Sequence, residues 1–281
     1  MRFAASMIVD DLIRNANIEL IPLRGADEKF AAVPTDTTIT ITCSPKFGLE
    51  RTLEHVARAR QMGRRVVPHL AARMVKDEEQ LQNFLDALNL HGVDDLYVIG
   101  GDSERPVGKY SEALEILEAI QYLDHSLVRI GVACYPEGHP EIPDAKLTEA
   151  LQHKQQYADY MVSQLCFDSA ALTTWLAATR NAGILLPIRV GIAAPLHSRK
   201  LIELSLKIGV GSSVKFLTKQ HGFIGKLLLG RAYAPEGLVT EIVAHDRFKD
   251  LGIEGLHLFS FNQVQATLEW QNRISDGGGT K

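Results

Sequence analysis

The chain lacks most of the features that would assign it quickly. Its three cysteines, Cys43, Cys134 and Cys166, are far apart and form no CxxC pair. A disulfide framework or a four-cysteine zinc site is therefore excluded, and each thiol beside its apolar run reads as buried and reduced. No apolar run approaches the roughly 18 residues that read as a membrane span. No charged-then-apolar leader opens the chain, so the expectation is a soluble, cytoplasmic protein. Basic residues are not in excess: the net charge is −4, which argues against a general nucleic-acid binder. No GxGxxG follows the first apolar run, which weakens a Rossmann reading. No GxSxG elbow supports a serine nucleophile. Neither an HxH pair nor a lysine at a predicted strand end is available for a barrel hydrolase metal site. His69 and His139, with Glu137 and Glu141, could suggest a metal site, but none is expected.

What is present is a regular alternation. Short apolar, β-branched runs predict strands over Asn17–Pro22, Thr38–Thr42, Arg65–His69, Asp95–Ile99, Val128–Cys134, Tyr160–Leu165, Ile188–Ile192 and Gly255–Phe261. Apolar residues spaced by three and four, such as Leu81, Phe84, Leu85 and Leu88, predict helices between them. These cover Gly48–Met62, Asp77–Leu90, Tyr110–Tyr122, Ala145–Tyr157, Ser169–Ala182, His197–Ile208, Pro235–Leu251 and Gln263–Arg273. Near-continuous apolar strands separated by helices imply a parallel sheet covered on both faces. Eight such units in 281 residues favour closure into a single (β/α)₈ TIM barrel. The expected organisation is one catalytic domain over 1–275 with a flexible tail over 276–281. The glycine-rich segment 209–234 is expected to hold an extra helix near the last two strands.

A barrel of this type carries its active site at the carboxyl ends of the strands. Nearly every predicted strand delivers a polar or titratable group there. Glu19 stands between Ile18 and Leu20, so it must point into the barrel or stand unpaired in an apolar layer, and burial, which disfavours its charged form, suits it to general acid work. The alternative is a glutamate that bridges layers by hydrogen bonds. Asp102 follows Gly100 and Gly101, whose missing side chains let a ligand approach the backbone. Its alternative role is capping the next helix. Gln164 is poor at proton transfer, but its amide donates and accepts, which suits it to reading a heterocycle edge or filling the barrel.

At these residues the chain resembles the methylenetetrahydrofolate reductase family. The matching elements, in the family's order, begin with Glu19-Leu-Ile-Pro-Leu-Arg24, Thr40-Ile-Thr-Cys-Ser-Pro45 and Pro68-His69-Leu70. They continue with Ala133-Cys-Tyr-Pro-Glu-Gly-His-Pro-Glu141, Ser163-Gln-Leu-Cys-Phe-Asp168 and Gly255-Leu-His-Leu-Phe-Ser-Phe-Asn262. The resemblance implies reduction of 5,10-methylenetetrahydrofolate to 5-methyltetrahydrofolate in one-carbon and methionine metabolism, with NADH or NADPH as donor. It implies Glu19 as the acid for the departing folate nitrogen. Asp102 would orient the pterin and support its developing charge, and Gln164 would hydrogen-bond the pterin. Thr42, His69, Gly101, Tyr135, His139 and Lys154 would line the cofactor pocket, which in the family holds FAD.

The chain departs from the family's pattern at several of these places. The usual LRGD reads Ile99-Gly100-Gly101-Asp102, without the arginine beside the flavin. The basic residues ahead of the family's lysine are missing from Ala150-Leu-Gln-His-Lys154. The stacking aromatic after strand seven is matched only loosely by Phe216. Each lost charge-assisted bond removes about 1.5–3 kcal/mol. The expectation is a flavin held weakly or not at all, with NAD(P)H reducing folate directly. Two other readings keep the same folate partner: a folate-dependent methyltransferase or demethylase on the same barrel, and a noncatalytic folate-binding protein. Neither NADH against NADPH nor the oligomeric state is legible.

Overall fold

The computed structural model describes residues 2–197, 200, 201, 203, 232, 233 and 235–275. Eight parallel strands close into a barrel in the order β1-β2-β3-β4-β5-β6-β7-β10. They are β1 (Asn17–Leu20), β2 (Thr38–Ile41), β3 (Arg65–Ala71), β4 (Asp95–Ile99), β5 (Arg129–Cys134), β6 (Tyr160–Ser163), β7 (Ile188–Ala193) and β10 (Ile253–Phe259). All eight predicted strands are found, and the (β/α)₈ class holds. Two short strands outside the barrel, β8 (Leu196–His197) and β9 (Ala232–Tyr233), pair antiparallel.

The helices are α1 (Arg2–Arg14), α2 (Ala26–Ala32), α3 (Gly48–Gln61), α4 (Glu78–Leu90), α5 (Ala113–Ile120), α6 (Asp144–Lys154), α7 (Ser169–Asn181), α8 (Glu236–Val243) and α9 (Val264–Ser275). Their starts follow from capping chemistry. Asp77 accepts the Gln80 amide ahead of α4, and Asp168 accepts the Ala170 and Ala171 amides ahead of α7. Glu112 and Glu115 form a reciprocal capping box on α5. This box moves the start of α5 three residues beyond the predicted Tyr110. The predicted helix over 235–251 is cut short, because α8 ends at Val243 and a single 3₁₀ turn follows at Phe248–Asp250. Helices α1 and α2 were not predicted. The expected helix over 197–208 and the extra helix over 209–234 lie almost wholly outside the described residues, as does the tail.

The chain forms two compact units. One comprises Asn17–Ala133 with Ala150–Met161, and the other Met1–Ala16, Cys134–Glu149 and Val162–Lys281. In the first unit, strand register places Glu19 opposite Thr40, Thr40 opposite Val67, His69 opposite Tyr97, and Tyr97 opposite Gly131. Alternate residues share a face, so Ile18, Leu20, Ile39 and Ile41, all buried, point the other way, towards the helices. The amino ends of β4, β5 and β6 are locked together. The Tyr160 hydroxyl donates to Asp95 Oδ1 at 2.8 Å, and the Arg129 guanidinium lies 4.6 Å from the ring centre. Gly131 makes room for that ring, since a Cβ there would overlap it.

In the second unit the buried ring of Trp270 anchors α9, its indole N–H donating to Glu236 Oε2 at 3.0 Å. Gln271 Nε2 donates to the Ile13 carbonyl of α1 at 2.7 Å. A smaller apolar cluster joins Leu165 and Phe167 to Ala193 at the end of β7, Leu196 and Leu201.

Candidate active site

In the first unit, β1 alternates two sealed apolar side chains with Glu19, which therefore faces the barrel interior. Its side chain is 12% exposed, and Oε2 lies 3.8 Å from Nε2 of His69, whose side chain is 5% exposed. The pair is within ion-pair reach when the imidazole carries its second proton. His69 is held in turn by an edge-to-face contact with Tyr97, ring centres 4.6 Å apart. His69 is not the last residue of its strand, as had been predicted: β3 runs two residues further, to Ala71. Thr40, in register with Glu19, is buried, and its hydroxyl has no hydrogen-bond partner among the described residues.

The turn after β2 carries Thr42 and Cys43. The Thr42 amide donates to the Leu20 carbonyl at 3.1 Å, and its own carbonyl accepts from the Thr52 hydroxyl. Burial, with smaller contributions from the nearby charges of Asp102 and Glu19, pushes the Cys43 thiol up to about 12.

After β4 the chain turns through Gly100 and Gly101. Gly101 has φ +95°, and a Cβ there would lie 2.8 Å from Ala71 Cβ, so no other residue fits. Asp102 follows, exposed to solvent. It is not the cap of α5, because Glu112 fills that role. Lys154, the last residue of α6, donates from Nζ to the Ala133 carbonyl at 3.2 Å.

In the second unit, the loop after β5 is self-contained. Tyr135 and His139 pack edge to face at 5.1 Å, and His139 Nδ1 accepts the amides of Glu141 and Ile142. Glu137 Oε1 accepts the amides of Phe167 and Asp168 at 2.7 and 2.9 Å. It thus clamps the loop after β6 to the loop after β5. Gln164, one residue past β6, is fixed at both ends. Its backbone N–H donates to the Cys134 carbonyl, and its side-chain Oε1 accepts the Leu165 amide, both at 2.8 Å. That second bond leaves Nε2 as the end of the side chain that can read a ligand's acceptor. Burial, chiefly, raises the Cys166 thiol well above its ordinary range. Past the end of the last barrel strand, the turn before α9 carries Phe261 and Asn262, both with positive φ (47° and 63°). Two consecutive non-glycine residues in that region are uncommon and concentrate at functional sites.

Each unit thus carries predicted site residues on its strands or on the segments that follow them. The first supplies Glu19, Thr42, His69, Gly101, Asp102 and Lys154, and the second Tyr135, His139 and Gln164. Sequence reasoning missed Arg73 and the clamping role of Glu137, since neither stands in a recognisable spacing.

A family model for methylenetetrahydrofolate reductase matches residues 28–275. The chain belongs to the methylenetetrahydrofolate reductase family. Among curated members, it is 32% identical over 114 residues to methylenetetrahydrofolate reductase 2 of Saccharomyces cerevisiae, covering 36% of this chain and 19% of that protein. It is 39% identical over 67 residues to methylenetetrahydrofolate reductase 1 of Schizosaccharomyces pombe, covering 22% of this chain and 11% of that protein. The matched segments therefore span less than a fifth of those reductases. Among solved structures, an uncharacterised Clostridium thermocellum protein described as binding two copies of 5-methyl-5,6,7,8-tetrahydrofolic acid superposes with a TM-score of 0.62. It shares 11% identity, over 93% of this chain and 95% of that one. An aldolase superposes at 0.52 with 11% identity, over 95% of this chain and 98% of that one. At such identities these structures speak to the shared barrel alone. No helix among the described residues is long and apolar enough to cross a membrane.

Proposed function

We propose that this reductase-family barrel converts 5,10-methylenetetrahydrofolate to 5-methyltetrahydrofolate, taking a hydride directly from NADH or NADPH. The observation that carries the reading is Glu19, a largely buried carboxyl group in the first barrel strand beside His69, in a chain whose residues 28–275 match the family. Its role is to donate a proton to the folate nitrogen that leaves as the methylene bridge opens to an iminium. The iminium carbon then accepts the hydride and becomes the methyl group, so one proton and one hydride are consumed and the oxidised nicotinamide departs. Asp102 orients the pterin and supports its developing charge. Gln164 donates from Nε2 to an acceptor on the pterin edge. A preorganised donor of this kind adds specificity because a ligand lacking the acceptor leaves it unpaired.

The residues that the family resemblance assigns to FAD do not fit it well here. Lys154 Nζ is engaged with the Ala133 carbonyl, and His139 Nδ1 is occupied by two amides of its own loop. Together with glycine in place of the arginine before Asp102, this supports direct reduction by the nicotinamide.

The test is oxidation of NADH, and separately NADPH, by the freshly purified protein with methylenetetrahydrofolate and no added FAD, after its visible spectrum is recorded. Turnover by a colourless preparation is the expected result. Turnover only after FAD is added would reject the flavin-free step and keep the reductase. No turnover under either condition, with 5-methyltetrahydrofolate still bound, would favour a methyl-transferring or noncatalytic folate protein.

A further inference from the structure

We propose that Arg73 is a positioning residue that fixes Asp102. The inference rests on the reading of Asp102 as a pterin-orienting group in the proposed reduction.

The carboxylate of Asp102 makes no hydrogen bond or ion pair among the described residues and is exposed. Among those residues, its position is set through its backbone. That backbone belongs to the loop between β4 and α5, which has no helix or strand of its own over 100–112. A loop of this length needs an external hold if it is to keep a carboxylate in place.

Arg73, in the 3₁₀ turn Ala72–Met74 after β3, supplies that hold from both sides of Asp102. Its amide donates to the Gly100 carbonyl at 3.0 Å, just before Asp102, and its carbonyl accepts the Val107 amide at 3.0 Å. The guanidinium then spreads over the loop. Nε donates to the Ser103 carbonyl at 2.7 Å, immediately after Asp102. Nη2 donates to the Glu104 carbonyl at 3.0 Å, and Nη1 to the Ser111 carbonyl at 3.4 Å. Three nitrogens of one planar fork thus hold three carbonyls, an arrangement that a lysine ammonium on its flexible stem cannot copy. Two glycines permit the approach. Gly101 sits against Ala71, and Gly108 lies so close to the Lys76 backbone that a side chain would overlap it. The Lys109 amide completes the seam by donating to the Lys76 carbonyl.

The experiment has two arms. The first is hydrogen exchange at the Val107 and Lys109 amides, which needs no activity. Arg73→Ala should raise exchange across 103–111 by about tenfold or more, as expected for lost charged hydrogen bonds, with Arg73→Lys intermediate. Unchanged exchange overturns the proposal. The second arm measures kcat and KM for the native enzyme, Arg73→Ala, Asp102→Asn and the double variant. If Arg73 acts through Asp102, the single Arg73→Ala change lowers kcat about tenfold or more, leaves KM for NADH unchanged, and adds little once Asp102 is already Asn. Equal losses in both backgrounds would mean a general structural role and overturn the proposal. Should Arg73→Ala fail to fold, Arg73→Lys carries both arms. A native protein with no reductase activity would defeat the functional reading itself, while the exchange arm still decides whether Arg73 holds the loop.

Discussion

Glu19 Oε2 and His69 Nε2 lie 3.8 Å apart with both side chains nearly sealed from solvent. Their strands are not neighbours, since β2 stands between β1 and β3. The pair therefore bridges across the barrel interior.

That relationship sets the first prediction. Glu19→Gln keeps the shape and can still hydrogen-bond, but it has no acidic proton to give. We expect kcat to fall about 10²–10⁴-fold, with 5-methyltetrahydrofolate affinity changed only severalfold, read by steady-state kinetics and calorimetry. Loss of folate binding together with kcat would instead mark Glu19 as a structural bridge between layers.

Thr40 tests the polarity of the same interior. Its buried hydroxyl has no partner among the described residues, and such a group costs about 1–3 kcal/mol. Thr40→Val should therefore raise the melting temperature by roughly 2 °C or more. A lower melting temperature would show that the hydroxyl is bonded after all, through a buried water.

Gly131 is predicted to be intolerant of the smallest change. A Cβ at this position overlaps the Tyr160 ring, and moving the ring breaks its bond to Asp95. Gly131→Ala should destabilise the protein by about 1–3 kcal/mol, as overpacking does. A denaturant midpoint equal to that of the native protein would contradict the packing described.

The Cys43 thiol should stay protonated and inert. With burial raising it to about 12 from 9.0, alkylation by iodoacetamide at neutral pH should be slow in the folded state and fast in urea. The unfolded thiol ionises first as pH rises. The stabilisation linked to this group is thus complete below pH 9 and is lost as pH climbs through the folded value near 12. Rapid labelling of the native protein at Cys43 near neutrality would refute this.

The barrel was legible because its strands are short, apolar and evenly spaced, and because Leu81, Phe84, Leu85 and Leu88 mark a helix by period alone. Glu19 was legible for the same reason: a carboxylate inside an apolar strand has few places to go. The edges were harder. Helix α1 buries Val9 and Ile13, but its apolar face shows too few repeats to stand out from sequence. Glu112 took the capping role for α5, a choice that depends on how the preceding loop is held. Arg73 and Glu137 could not be read at all. Both act on backbone groups far along the chain, and a carbonyl or amide target leaves no trace in residue type.

The bond from Gln271 to the Ile13 carbonyl joins residues 258 apart. During synthesis at about 5–20 residues per second, Ile13 emerges roughly 10–50 s before its partner exists. Helix α1 packs against α8, β10 and α9, all made from the last sixth of the chain, so for most of that interval its apolar face lacks these partners. Its burial waits on the carboxyl-terminal elements, so an incomplete chain exposes apolar surface that the finished protein covers.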